Sequence, residues 1–210
     1  MRTVITYLFD PLCGWCYGAS AAVQHLAQRN DIHLELAPTG LFSGRGARAM
    51  DASFAAYAWS NDERIEKLTG QRFTERYRTQ VLNQPGGRFD SSATTLALTA
   101  VMLTAPELEL ATLRVLQEAR YLHALDTSVV QVVEQRLRDA GLGAAADRLA
   151  AADAALLAAN AERTLKAQGL MQTHGAQGVP AMVVTNHSGS RLLRGDILYG
   201  NFDDLDSALD

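Results

Sequence analysis

The chain has almost nothing with which to cross-link itself. Two cysteines among 210 residues exclude a small disulfide-stapled scaffold, and at this length a packed core needs no staples. Positive charge is not in excess either: 19 Lys and Arg stand against 23 Asp and Glu, for a formal net charge of -4. That balance argues against nucleic acid or an anionic membrane surface as the main partner, since both demand clustered Lys and Arg. No apolar run reaches the length of a membrane span. The stretch Val4 to Phe9 is short, is interrupted by Thr6, and ends on Asp10-Pro11 with no small-residue cleavage site after it, so it does not read as a signal peptide. The expectation is a soluble, cytoplasmic protein, in which a cysteine pair is more often catalytic or metal-binding than structural.

What is present is ordinary globular composition, 48% hydrophobic and 20% charged, in a definite order. Thr3 to Phe9 is rich in β-branched and aromatic residues and reads as a buried strand. A helix begins near Cys13, and Ala19, Val23, Leu26 and Ala27 recur at helical spacing up to Asn30-Asp31. Ile32, Leu34 and Leu36 then alternate with His33 and Glu35 up to Pro38, giving a second strand and closing a β-α-β unit. Between Gly40 and about Gly175 no strand is expected. Breakers at Gly70, Gln84 to Gly87, Pro106 and Gly141 to Gly143 cut this segment into helix-sized pieces. Asp126-Thr127-Ser128 reads as an N-cap ahead of Val129, and Leu149, Leu156, Leu157 and Leu165 give the Ala-rich run from Gly143 to Lys166 an apolar stripe. Ala181 to Val184 and Arg191 to Leu193 read as a hairpin, followed by a short helix over Asn201 to Leu209.

The two cysteines stand together as Cys13-Gly14-Trp15-Cys16, a spacing that random placement gives roughly one time in a hundred. A strand leads in and a helix leads out, so the first sulfur meets free backbone N–H groups, which favour thiolate over thiol. Cys16, one turn further in, becomes the resolving thiol. Half of a zinc site fits less well, because the five histidines (His25, His33, His123, His174, His187) are scattered singly and zinc needs two further ligands. A permanent disulfide closing so small a loop would remove little chain entropy.

Tyr7, Phe9-Asp10-Pro11, Cys13-Gly14-Trp15-Cys16-Tyr17-Gly18 and, far downstream, Val179-Pro180-Ala181 together resemble the DsbA family of thioredoxin-fold thiol-disulfide oxidoreductases. Within it they resemble the bacterial branch labelled predicted protein-disulfide isomerase. The resemblance implies an α/β fold: a thioredoxin-like core with a mixed sheet (β-α-β then β-β-α), built from residues 1–40 and 175–210, and a large all-helical insertion with its connecting helix over 41–174. It implies catalysis by Cys13 and Cys16. It also implies a cis Val179-Pro180 bond facing Cys13, so that Val179, Pro180 and Trp15 bind substrate, the Val179 backbone being offered to an extended chain while Pro180 has no N–H to compete. The partners implied are thiol or disulfide proteins and glutathione, with neither nucleic acid nor membrane; exchange needs no cofactor and no metal.

The sequence departs from better-known relatives in two places. Gly14-Trp15 replaces Gly-Pro or Pro-His between the cysteines, and the first strand lacks a buried acid, leaving Asp10 or Glu35 as candidate proton acceptors. Gly40 to Gly46 lacks the Lys-Ser or Lys-Thr ending of a phosphate cradle. Trp15, Tyr17, Phe42, Tyr57 and Trp59 are candidates for an apolar substrate wall. Two rival functions share parts of this pattern. Kappa-class glutathione transferases and hydroxychromene carboxylate isomerases have the same fold but usually carry Ser at the position of Cys13 and no second cysteine, and a non-enzymatic peptide-binding module would not need both sulfurs, so that it would keep its function without Cys16.

Overall fold

The computed structural model describes residues 2–209; Met1 and Asp210, the outer ends of the expected core segments, lie outside the described residues. The elements run β1 (Thr3–Phe9), α1 (Gly14–Gly18), α2 (Ser20–Ala27), β2 (Ile32–Pro38), β3 (Arg48–Ala49), α3 (Ala52–Thr69), α4 (Glu75–Tyr77), which runs on into a π-helical turn, β4 (Arg88–Phe89), α5 (Ser92–Thr104), α6 (Glu109–Tyr121), α7 (Val130–Asp139), α8 (Gly143–Ala151), α9 (Ala154–His174), β5 (Ala181–Asn186), β6 (Gly189–Leu193) and α10 (Phe202–Ser207). Four strands form one mixed sheet in the order β2-β1-β5-β6. β1 pairs parallel to β2, from Thr3 with Ile32 to Phe9 with Pro38, and antiparallel to β5, with Tyr7 opposite Met182.

β1 reads as a continuous apolar run because both of its faces are covered. Ile5, Tyr7 and Phe9 point to one side and share a core with Val23 and Leu26 of α2 and with Leu98, Val101 and Leu116 of the helical block. Leu8 points to the other side and packs with Ala181, Val183 and Ala167 of α9. The C-terminal end of this central strand delivers the cysteine pair. None of the described helices is long and apolar enough to cross a membrane.

The structure departs from the sequence expectations at several points. The block between the two halves of the sheet is not wholly helical: Arg48 pairs with Phe89 and Ala49 with Arg88, two residues per strand being too few to leave an alternating pattern. The first helix is broken at Ala19 into α1 and α2. α7 starts at Val130 with Val129 at its N-cap, because the Asp126 carboxylate is engaged earlier, accepting from Ser128 N at 3.1 Å and Ser128 Oγ at 2.6 Å. The Ala-rich run is interrupted at Ala152, whose φ of 42° lies in the left-handed region. Beyond that break Leu156 is fully buried while Leu157 and Leu165 are 49% and 67% exposed, so the expected apolar stripe does not continue. The β5-β6 turn is tighter than expected, with only His187 and Ser188 between the strands.

Candidate active site

The redox turn is set by Asp10. Its Oδ1 accepts from Leu12 N at 2.9 Å and its backbone carbonyl accepts from Cys13 N at 3.1 Å, which curls the chain after β1 and leaves Cys13 at the N-cap of α1. Three tyrosine hydroxyls from three parts of the chain hold the turn from outside. Tyr121 of α6 donates to Leu12 O at 2.8 Å, Tyr199 to Trp15 O at 3.2 Å, and Tyr7 of β1 to Cys16 O at 3.2 Å. Burial pushes all three phenols up, so they remain donors at any physiological pH.

Cys13 and Cys16 are both free thiols in unequal surroundings. Cys13 retains 7% exposure and Cys16 1%. Burial, reinforced by the adjacent Cys13 sulfur, pushes the Cys16 thiol well up, as expected for a thiol one turn inside. The Val179-Pro180 bond is cis, and the Val179 carbonyl accepts from Cys13 Sγ at 3.6 Å although 166 residues separate them. Trp15 leans on Tyr199 with ring centroids 5.2 Å apart, and the Arg64 guanidinium lies 5.7 Å above its ring.

Cys13 opens on a cleft of about 220 Å³ between the redox turn and the helical block. Of the expected aromatic wall, Trp15, Phe42 and Tyr57 line it, joined by Phe54, Phe89, Tyr77 and Tyr121. Tyr17 and Trp59 do not. Each stands two residues from a wall residue on a helix, and is therefore turned away from it. Both are buried behind the wall, in a cluster with Phe73 and with Tyr77 and Tyr121 of the wall itself, where Tyr17 stacks on Tyr121 at 4.8 Å.

Of the two candidate proton acceptors, Glu35 is exposed on β2 beside His33, away from the sulfurs. Asp10 is fully buried and saturated: besides Leu12 N, its Oδ2 accepts from Phe42 N at 3.0 Å and Ser91 Oγ at 2.8 Å. Burial pushes its carboxyl up while these donors pull it back. The same bonds dispose of the Gly40 to Gly46 segment as an anion cradle, since Phe42 N is spent on Asp10, and Ser43 N and Gly46 N are spent inside the loop.

The sequence reading missed a third acid. Asp62 of α3 is 4% exposed and lines the cleft with Cys13. Burial pushes its carboxyl up to about 8, against the opposing pull of the Tyr77 hydroxyl and the Arg120 guanidinium. Arg120 is itself 1% exposed, 5.5 Å from the Tyr77 and Phe89 ring centres and 3.5 Å from Asp126. A signal existed: Phe54, Ala58, Asp62 and Ile65 recur at helical spacing, and all four line the cleft.

Several known proteins are similar to the chain. Cytosolic disulfide reductase DsbM from Pseudomonas aeruginosa superposes with a TM-score of 0.86 at 26% identity, over 98% of this chain and 96% of that one. A second structure of DsbM, with GSH, gives 0.83 at 28% identity over the same shares. A 2-hydroxychromene-2-carboxylate isomerase shares the fold, with a TM-score of 0.60 at 14% identity over 98% of this chain and 94% of that one. No curated protein sequence matches. The model of the DSBA-like thioredoxin domain matches residues 4–205, and with the sheet order, the helical block and the redox turn described above the chain belongs to that family.

Proposed function

We propose that this DsbA-like thiol-disulfide oxidoreductase works by exchange at Cys13, with Cys16 as the resolving thiol and Trp15, Val179 and Pro180 as the substrate-facing surface. The observation that carries the reading is the inequality of the two sulfurs: Cys13 stands at a helix start and opens on the apolar cleft, with the Val179 carbonyl 3.6 Å away, while Cys16 is sealed behind it. In this reading Cys13 thiolate attacks a substrate disulfide to give a mixed disulfide. Cys16 then displaces the substrate sulfur, closing the Cys13-Cys16 disulfide and releasing reduced product, or the sequence runs backwards to oxidise a dithiol. The core segments 1–40 and 175–210 carry the chemistry, and the insertion 41–174 supplies the far wall of the cleft.

Glutathione is the small-thiol partner, and the cytoplasm is the working compartment. The similarity to a cytosolic reductase with a GSH-containing structure supports both. A kappa-type transferase or isomerase chemistry is disfavoured, because a cysteine stands where those enzymes carry Ser. The test is acid-quenched turnover of a peptide disulfide with glutathione as reductant, followed by mass spectrometry. Cys16→Ser accumulates a mixed disulfide on Cys13, whereas Cys13→Ser accumulates none and loses exchange. Equal trapping by both variants overturns the assigned order of attack, and full function in both favours a binding module.

A further inference from the structure

We propose that Asp62 is the proton carrier for sulfur exchange at Cys13, giving a proton to the sulfur that leaves and taking one from the thiol that enters. This rests on the reading of Cys13 as the attacking sulfur. Three features of the structure point to it. Asp62 and Cys13 line the same cleft of about 220 Å³, so any sulfur displaced by Cys13 departs into the space that Asp62 lines. Its Oδ1 is packed against the redox turn itself, so closely that a Cβ on Gly14 would lie 2.5 Å from it. Its Oδ2 is buried and has no hydrogen-bond partner among the described residues. A carboxyl kept for structure alone is normally saturated, as Asp10 is; this one has an oxygen to spare.

The chemistry balances without any further group. Cys13 thiolate attacks R–S–S–R′; the bond from Cys13 to the R sulfur forms as the R–R′ sulfur bond breaks, and Asp62 gives its proton to the departing R′ sulfur. On the route by which an external low-molecular-weight thiol R″–SH clears the mixed disulfide in place of Cys16, that thiol gives its proton to the Asp62 carboxylate while its sulfur displaces Cys13 from R. The sum is R–S–S–R′ plus R″–SH giving R–S–S–R″ plus R′–SH, with Cys13 thiolate and the Asp62 acid both restored. With its carboxyl pushed up to about 8, Asp62 is close to an ordinary thiol at about 8.5, so the proton moves in either direction with little cost, the condition under which general acid-base catalysis is most effective. The titratable and charged groups around Asp62 are Cys13, Tyr57 and Tyr77 in the cleft wall, with Arg120 and Tyr121 from α6. Burial pushes the Tyr77 and Tyr121 phenols well up, and Asp62 supplies the carboxyl of this wall.

The test exploits the leaving group. Asp62→Asn keeps the shape and removes the proton. With a peptide disulfide and glutathione, turnover at pH 7 is expected to fall about 10²-fold, the lower end of general acid-base effects. With an aromatic disulfide such as 5,5′-dithiobis(2-nitrobenzoate), followed without glutathione so that only the first displacement is read, the thiolate leaves without a proton and the rate is expected to stay within about threefold. Equal slowing on both substrates means that the substitution acts through the fold and overturns the proposal, as does the absence of slowing on either. Cys13→Ser, run in parallel, reports on the underlying reading separately: if it keeps its exchange activity, the fault lies with Cys13 and not with Asp62.

Discussion

Asp10, on the sheet side of the redox turn, and Asp62, on the helical side, are buried carboxyls adjoining one tetrapeptide, and burial pushes both up. They differ in what surrounds them. Asp10 accepts from Leu12 N, Phe42 N and Ser91 Oγ, which ties the redox turn to the entry of the helical block and to the start of α5. Asp62 has an oxygen without a partner and lines the cleft. The sheet side of the turn is therefore built to stay fixed, and the helical side keeps a polar group in reserve. The comparison teaches that burial alone does not assign a role to an acid; the count of donors around it does.

The comparison breaks most visibly at Asp10. Asp10→Ala leaves the Leu12 and Phe42 amides without their acceptor inside the fold, and each buried donor left unsatisfied costs about 1–3 kcal/mol, so a loss of about 3 kcal/mol or more is expected. Urea denaturation at pH 7 measures it. A loss below about 1 kcal/mol would mean that Asp10 is no keystone and that the two acids are alike.

Gly14 probes the contact from the other side. A methyl group there would meet Asp62 Oδ1 at 2.5 Å and Ile65 Cδ1 at 3.2 Å, and overpacking of this kind costs about 1–3 kcal/mol. Gly14→Ala is expected to be destabilising by that amount alone and by clearly less in an Asp62→Ala background, since neighbours that share a contact are not additive. Additive effects in that double-mutant cycle would place the carboxyl away from the turn.

Much of this was legible in advance, for reasons that can be named. β1 is readable because a strand buried on both faces loses its polar alternation and becomes an apolar run. The cysteine pair is readable because its spacing is rare by chance and falls between a strand and a helix, and Pro180 entered only through the family resemblance, since nothing local ties it to Cys13. Asp62 was hidden by its neighbours. Asn61-Asp62-Glu63-Arg64 has the composition of a solvated helix face, and only the phase of α3 against the redox turn, with Tyr77 and Arg120 arriving from later in the chain, buries one of the four. The tyrosine clamp was hidden for a related reason: Tyr7, Tyr121 and Tyr199 are brought together by packing alone. Leu157 and Leu165 failed in the opposite sense, because the turn at Ala152 resets the helix and leaves them facing out.

The smallest step is expected in the pH dependence that Asp62 imposes on stability. The Asp62 carboxyl is pushed up to about 8 in the folded chain from its ordinary value of 3.8. Between those limits the unfolded chain has lost this proton while the folded chain still holds it, so folding takes up a proton and stability falls as pH rises. Below pH 4 both states are protonated and the penalty vanishes; above about 8 both are ionised and it stops growing. Asp62→Asn cannot ionise and escapes the penalty. Its stability relative to the parent chain is therefore expected to increase steadily from pH 5 to pH 8, by about 1 kcal/mol for each pH unit, since one proton of difference between the two states is worth about 1.4 kcal/mol per unit. Urea denaturation of both chains at pH 5, 6.5 and 8 measures the divergence. Parallel curves would mean that the Asp62 carboxyl is not pushed up in the folded chain, and would take from the helical side of the cleft the proton on which its proposed role depends.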